Sequence, residues 1–571
     1  MWSGISASLL ATALLFASPR PGLSLPSSLH SASPRSNYDQ CVTSNGTSPY
    51  GFNPPLYKES HRPQIHFSPS TNFMNDPNGL VYSNGSWHLF YQYNPTDPYA
   101  GNQHWGHAIS KDLYHWENLP MALAPETATE GIFSGSAIVD RDNTSGLFTE
   151  DQPADQRIVT IYTLNNKTSE EQHIAYTLDG GVTFQKYPGA VLSIGSSQFR
   201  DPKVFWDKTT ESWVMATAHA QDFEVVFYSS KDLKDWTELS RFSQHGILGY
   251  QYECPDLFEV PIKGGSKDGQ KAWVLGLSIN PGAPLGGSMV QYFPGDWDGK
   301  TFTPWDGAVR FADFSKDFYA FQTWSGSPDG KTYGIAWASN WQYTNVVPTQ
   351  PYRSIQSLPR EIYLEAYKTN PMFEDYVLSQ APASLETIKG ETLYQSGECS
   401  SQNKTIELVG DGAFDVQVTF SLPPNVTATY QTIGSLNFKA GGNKDQSITT
   451  GVQFGDPTFV YIDRSKTGSF ASSNPFMTDK TSGILRYSNS NPITKGVPTP
   501  IQGESLVTLR AIIDRSVLEV FGNDGQLTGT SVFFFDDDQI PKTLDISIGD
   551  DKIKIKNVEV VALKSTWPEC P

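Results

Sequence analysis

Three acidic residues stand in a repeated context: Asp76 precedes Pro77, Asp201 precedes Pro202, and Glu253 precedes Pro255 by way of Cys254. Each acid opens a β-type run, then a polar turn, then a second run led by tryptophan. The pairs of runs are Leu80-Val81-Tyr82 with Trp87-His88-Leu89-Phe90, Val204-Phe205-Trp206 with Trp213-Val214-Met215, and Leu257-Phe258-Glu259-Val260 with Trp273-Val274-Leu275. Carboxyl groups gathered in one pocket suit sugar transfer with retention: one attacks the anomeric carbon, and another protonates the leaving oxygen and then activates the incoming hydroxyl. Crowding raises the pKa of at least one member, which keeps an acid protonated at mildly acidic pH. Trp105, Trp337 and Trp341 would suit the apolar faces of sugars, although a single tryptophan is more often core.

Rival chemistries fit these residues poorly. The Asn75-Asp76-Pro77-Asn78-Gly79 loop lacks the acid ladder of a calcium loop. His104-Trp105-Gly106-His107 holds the one tight histidine pair and lacks the H-E-x-x-H arrangement of a zinc hydrolase. The G-x-S-x-G elbow of a serine hydrolase is missing. An isolated Asp-Pro is usually a turn or strand-entry device, but three copies at matching places in a repeat argue for more.

Residues so far apart in sequence need a scaffold that brings them together. Helical periodicity is nearly absent, and short Val/Ile/Phe/Tyr/Trp runs recur between turn signals such as Asp179-Gly180-Gly181 and Asp329-Gly330-Lys331. The chain therefore reads as all-β. Ser110-Lys111-Asp112-Leu113-Tyr114-His115-Trp116 returns as Ser230-Lys231-Asp232-Leu233-Lys234-Asp235-Trp236, which suits a propeller, since each blade hides its faces only against neighbouring blades. Equivalent positions at the start of each innermost strand would converge on the central channel. The blade pattern stops near residue 370, so residues 59–370 are expected to form the propeller, 371–395 a linker and 396–571 a β-sandwich.

The remaining composition narrows compartment and partners. Sixty acidic against 41 basic residues give a net charge of -19, which repels phosphate backbones and makes nucleic acid a poor partner. An apolar run from Ile5 to Ala17 reads as a secretory signal (residues 1–24), followed by a Ser/Pro-rich leader (25–58). The run is too short to span a bilayer, and no stretch elsewhere is long and apolar enough to do so. Sequons at Asn45, Asn84, Asn143, Asn166, Asn403 and Asn425 agree with secretion and imply N-glycans. Of the four cysteines, Cys254 is expected to be a buried free thiol, leaving Cys41, Cys399 and Cys570 with at most one bridge whose pairing stays open.

Met74-Asn75-Asp76-Pro77-Asn78-Gly79, Phe133-Ser134-Gly135-Ser136, Phe199-Arg200-Asp201-Pro202-Lys203, Tyr252-Glu253-Cys254-Pro255, Ser278-Ile279-Asn280-Pro281-Gly282 and Ala336-Trp337-Ala338-Ser339-Asn340-Trp341 occur in this order. In these motifs the chain resembles glycoside hydrolase family 32, and within it the secreted fungal invertases. The resemblance implies a five-bladed β-propeller followed by a C-terminal β-sandwich, with Asp514-Arg515-Ser516-Val517-Leu518-Glu519-Val520-Phe521 looking like the sandwich's own signature. It implies Asp76 as nucleophile, Glu253 as general acid/base and Asp201 as the residue that holds fructose hydroxyls. Asn75, Gln92, Ser134 and Trp341 would surround the fructosyl group, with Arg200 beside the acids. No metal or organic cofactor is expected. The implied activity is secreted, retaining β-fructofuranosidase action on sucrose or fructooligosaccharides; the alternatives are fructosyl transfer, exo-acting fructan hydrolysis or a non-catalytic sugar-binding relative. Oligomeric state is not legible. Two positions depart from the pattern: Phe73 and Ala100 stand where many members carry tryptophan, and Tyr99 lies beside the second.

Overall fold

The computed structural model describes residues 57–370, 373–397, 403–424, 426, 428–442, 445–455, 457–485 and 504–567. The expected signal peptide, nearly all of the leader, Cys41, Cys399, Cys570 and the sequons at Asn45 and Asn425 lie outside the described residues.

Five blades surround a central axis. The first is β1 (Asn72–Ser83), β2 (Ser86–Asn94), β3 (His104–Ser110) and β4 (Trp116–Leu123). The second is β5 (Gly131–Val139), β6 (Ile158–Asn165), β7 (Glu170–Tyr176) and β8 (Gln185–Lys186), and the third is β9 (Phe199–Asp207), β10 (Ser212–His219), β11 (Glu224–Ser230) and β12 (Thr237–Ser243). Blade four is β13 (Tyr252–Lys263), β14 (Lys271–Ile279), β15 (Met289–Trp297) and β16 (Phe302–Pro304), with the short β17 (Arg310–Phe311) also on β15. Blade five joins β18 (Tyr319–Thr323), β19 (Thr332–Trp337), β21 (Arg360–Asn370) and β22 (Phe373–Pro382), while β20 (Tyr352–Arg353) crosses to pair in parallel with β1 and closes the ring.

The blades cohere because each sheet is apolar on both faces. Val81, Phe90 and Trp105 of blade one meet Ile132, Ala137 and Tyr162 of blade two in one core, and Val214, Phe227, Leu257 and Leu275 join blades three and four in another. The repeated Ser-Lys-Asp-Leu heptad forms the same turn twice. Asp112 Oδ1 accepts the N–H groups of Tyr114 and His115, and Asp232 Oδ1 those of Lys234 and Asp235. Leu113 and Leu233 both take positive φ there, at 74° and 65°.

The stretch 371–395, expected as a linker, holds β22 and most of the first sandwich strand, β23 (Lys389–Ser396), so only residues 383–388 connect them. The alternation that marks a strand is lost because Ser379 and Gln380 are both buried, Ser379 against Glu365 of β21 and Gln380 against Arg360 and the Ala312 carbonyl. That domain packs two six-stranded sheets. One contains β23, β25 (Ala413–Leu422), β30 (Ser505–Asp514), β31 (Val517–Gly522), β32 (Leu527–Val532) and β34 (Lys554–Leu563). The other contains β24 (Lys404–Glu407), β26 (Ile433–Ala440), β27 (Ser447–Gln453), β28 (Thr458–Lys466), β29 (Lys480–Leu485) and β33 (Pro541–Ile548). Among the described residues no helix is long and apolar enough to cross a membrane.

Candidate active site

Each of the five innermost strands is broken by a β-bulge at the same level. The ladder slips by one residue between Met74 and Pro77 on β1, Phe133 and Gly135 on β5, Arg200 and Lys203 on β9, Glu253 and Asp256 on β13, and Tyr319 and Gln322 on β18. A bulge inserts an unpaired residue and re-aims its side chain, and here all five point functional groups toward the axis end of the ring. Proline is tolerated directly after Asp76 and Asp201, and one residue further on after Glu253, because a bulge frees that part of the strand from donating in a regular ladder. Asp201, Cys254 and Ala320 adopt positive φ of 63°, 47° and 51° at their bulges, a conformation that is uncommon for non-glycine residues. At Gly135 a Cβ would lie 2.0 Å from the Ile161 carbonyl oxygen, so only glycine fits beside Ser134.

The bulges bring the three acids close enough to act on one another, the charge of Glu253 bearing on Asp76. Ser134 Oγ donates to Asp76 Oδ2 at 2.8 Å and Asn75 Nδ2 to Asp76 Oδ1 at 3.0 Å, fixing both oxygens of that carboxylate. The Cys254 N–H donates to Asp201 Oδ2 at 2.9 Å. The Cys254 thiol, free and buried as expected, lies 3.6 Å from both Asp76 Oδ2 and Asp201 Oδ2, so the two carboxylates face each other across one sulfur. Arg200 bridges the third acid to a fourth: its Nε is 3.3 Å from Glu253 Oε1, and its other arm lies 3.1 Å from Glu170 Oε2. Glu253 also accepts from Gln251 Nε2 at 3.0 Å and from the Tyr319 hydroxyl.

Gln92, 2% exposed, sits on β2 opposite the Asn75–Asp76 bulge, and its Nε2 has no partner among the described residues. Trp341 is half-buried, its ring 6.0 Å from Phe73 and 4.9 Å from Trp337. Trp105 and Trp337, considered above as sugar platforms, are fully buried, with their indole N–H groups bonded to the Phe133 carbonyl and Ser354 Oγ; they are blade core. Phe73 is also buried, against Cys254, Tyr319 and Trp337, whereas Tyr99 and Ala100 are exposed, with the Tyr99 ring 5.0 Å from the Arg353 guanidinium. Sequence reading missed Tyr319, Glu170 and Gln251. Tyr319 lies on the innermost strand of a blade with no acid-proline pair, so only recognition of the fifth bulge would have found it.

Burial sets the electrostatics. It pushes the Asp76 carboxyl up to about 6, helped by the negative charge of Glu253 and opposed by the Ser134 and Asn75 hydrogen bonds. Burial also lifts Asp201 to about 6 against the pull of Arg200, with Asp76 adding to the rise. Glu253 is raised by burial too, with Arg200 and the Tyr319 hydroxyl opposing. Asp76 and Asp201 thus bind protons more tightly in the folded chain than in the unfolded one, where the reference value is 3.8. Their contribution to stability is full below about pH 4 and is lost as pH rises through about 6. Asp76→Asn is accordingly expected to raise Tm at pH 7 by roughly 2–5 °C and by less at pH 4. Calorimetry at the two pH values checks this; an equal gain at both would mean that ionising Asp76 costs the fold nothing.

Models of the glycosyl hydrolases family 32 N-terminal domain and of the family 32 C-terminal region match residues 66–375 and 384–561. The chain belongs to glycosyl hydrolase family 32. Family 32 relatives match it over nearly their whole length. An invertase of Schizosaccharomyces pombe is 43% identical over 526 residues, covering 90% of this chain and 86% of its own. An extracellular exo-inulinase of Meyerozyma guilliermondii is 41% identical, covering 89% and 96%. Among solved structures, a fructofuranosidase from Schwanniomyces occidentalis complexed with fructose superposes with a TM-score of 0.81 at 37% identity, covering 89% of this chain and 99% of that one. Among the described residues no group of three or more His, Cys, Asp or Glu side chains is arranged to hold a metal ion.

Proposed function

We propose that this family 32 enzyme is a secreted, retaining β-fructofuranosidase that hydrolyses sucrose and related terminal β-fructofuranosides. The observation that carries the reading is the convergence of Asp76, Asp201 and Glu253 from three blades around Cys254, with the oxygens of Asp76 held by Ser134 and Asn75 and the charge of Glu253 acting on Asp76. Asp76 attacks the anomeric carbon of the fructosyl unit while Glu253 donates its proton to the glycosidic oxygen, releasing glucose from sucrose. Glu253, now a carboxylate, takes a proton from water as that water attacks the fructosyl-enzyme, and Asp76 leaves. Asp201 holds fructose hydroxyls and stabilises the positive charge that develops on the ring. Asn75, Ser134, Gln92 and Trp341 line the fructosyl site, and Arg200 orients Glu253. The extracellular exo-inulinase relative and the N-terminal apolar run support secretion, with N-glycans at the sequons.

The test is product analysis with sucrose, inulin and levan. Equal glucose and fructose from concentrated sucrose supports hydrolysis, and glucose in excess together with fructooligosaccharides would show transfer to sugar instead. Transfer is the second reading because Phe73, buried against Trp337 and beside the half-buried Trp341, stands where many members of the family carry the larger tryptophan. A difference of about 1.4 kcal/mol between acceptors changes the product ratio tenfold.

The hydroxyl of Tyr319 favours the ionised form of Glu253, so its loss raises the Glu253 pKa further. Tyr319→Phe is expected to move the alkaline limb of the kcat/KM profile to higher pH and to lower kcat by about tenfold. An unmoved limb would separate Tyr319 from the titration of the acid.

A further inference from the structure

The β30–β31 hairpin of the sandwich drives two fully buried carboxylates, Asp514 and Glu519, into the propeller. Asp514 accepts the backbone N–H groups of Gln64, Ile65 and His66 at 2.7, 2.9 and 3.1 Å. Glu519 accepts the N–H of Leu358 at 2.6 Å and pairs with Arg360 at 2.8 Å. The two anchored stretches meet at Gln356, whose N–H donates to the Phe67 carbonyl at 2.8 Å. From there its side-chain Nε2 donates to the Asn75 carbonyl at 2.8 Å, one residue before Asp76.

Three features of this contact point to more than packing. The Asn75–Asp76 bulge interrupts the β1–β2 ladder, so this part of β1 is not held in regular strand pairing. Gln356 is fully buried, and its Oε1 has no hydrogen-bond partner among the described residues. A buried polar atom without a partner is a cost that a methionine of the same length would avoid. The amide orientation is dictated as well, because only the NH2 end can face a carbonyl oxygen.

We propose that Gln356 is a positioning residue for the reaction, holding the Asn75–Asp76 bulge where Asp76 can attack, while the sandwich holds Gln356. The proposal rests on the reading of Asp76 as nucleophile. Gln356→Met keeps the length and removes the donor. Its effect is read as the rate constant of glucose release in a single turnover of sucrose with enzyme in excess and saturating, which does not depend on the fraction of chains that are active. A 10- to 100-fold fall is expected, about the loss that a small misplacement of a reacting group produces, with KM changed by less than about threefold. Gln356→Glu is expected to recover most of the rate, because a buried carboxyl stays protonated and can donate to the same carbonyl. A Met variant with the wild-type rate constant overturns the proposal, and so does a Glu variant no faster than Met. Asp76→Ala in the same assay separates the two ideas: if it turns over normally, the nucleophile reading falls, and if it is dead while Gln356→Met is normal, only the positioning role falls.

Discussion

Replacing Asp76 by alanine is expected to lower kcat with sucrose by on the order of 10⁴-fold or more. The loss is large because no neighbour can take over the attack. Asp201 Oδ2 is occupied by the Cys254 N–H, and Glu253 is tied to Arg200, Gln251 and Tyr319. Sugar binding should weaken far less, since Asp201, Gln92 and Trp341 remain. Glucose release measures the first quantity and calorimetric titration with sucrose the second. An Asp76→Ala enzyme within tenfold of wild-type kcat would remove Asp76 from its assigned role. Low pH imitates the substitution: with Asp76 pushed up to about 6, protonation silences the nucleophile, and kcat/KM should fall as pH drops below that value.

Glu253→Gln carries the second large effect, a fall of about 10² to 10⁴-fold with sucrose, because glutamine keeps the shape and hydrogen-bonding reach but has no proton to give. The glucose alkoxide is a poor leaving group without that proton. A fructosyl donor with a leaving group that departs unaided, such as fluoride, should lose less than about tenfold in its first step. The fructosyl-enzyme should then accumulate, since the second step needs the Glu253 carboxylate as base. Equal losses for the two donors would contradict the acid role. Burial explains why an acid is available at all, for it holds Glu253 above the usual carboxylate range even with Arg200 alongside.

The acid-proline repeat made three of the five blades legible in the sequence. Proline inside a strand is confined to places where its backbone need donate nothing, and the bulges of the innermost strands supply such places. Blades two and five carry the same bulge at Ser134 and Ala320, but neither has both an acid and a proline to mark it, so Tyr319 was invisible. Trp105 and Trp337 show the opposite error: their residue type suits a sugar face, yet the neighbouring blades cover them completely. The expected linker failed for a related reason, because β22 buries polar residues that read as exposed.

The β class, the repeat, the second domain and the membership of Asp76, Asp201 and Glu253 in one set were legible in the chain, because they follow from local periodicity and from motifs a few residues long. The groups that touch the acids were not. The hydroxyl that meets Glu253 comes from 66 residues away, and the amide that holds the Asp76 bulge comes from 281 residues beyond Asn75. Such partners are chosen by how a ring of blades closes and where the sandwich docks. Both depend on the packing of whole sheets, and no spacing along the chain encodes them.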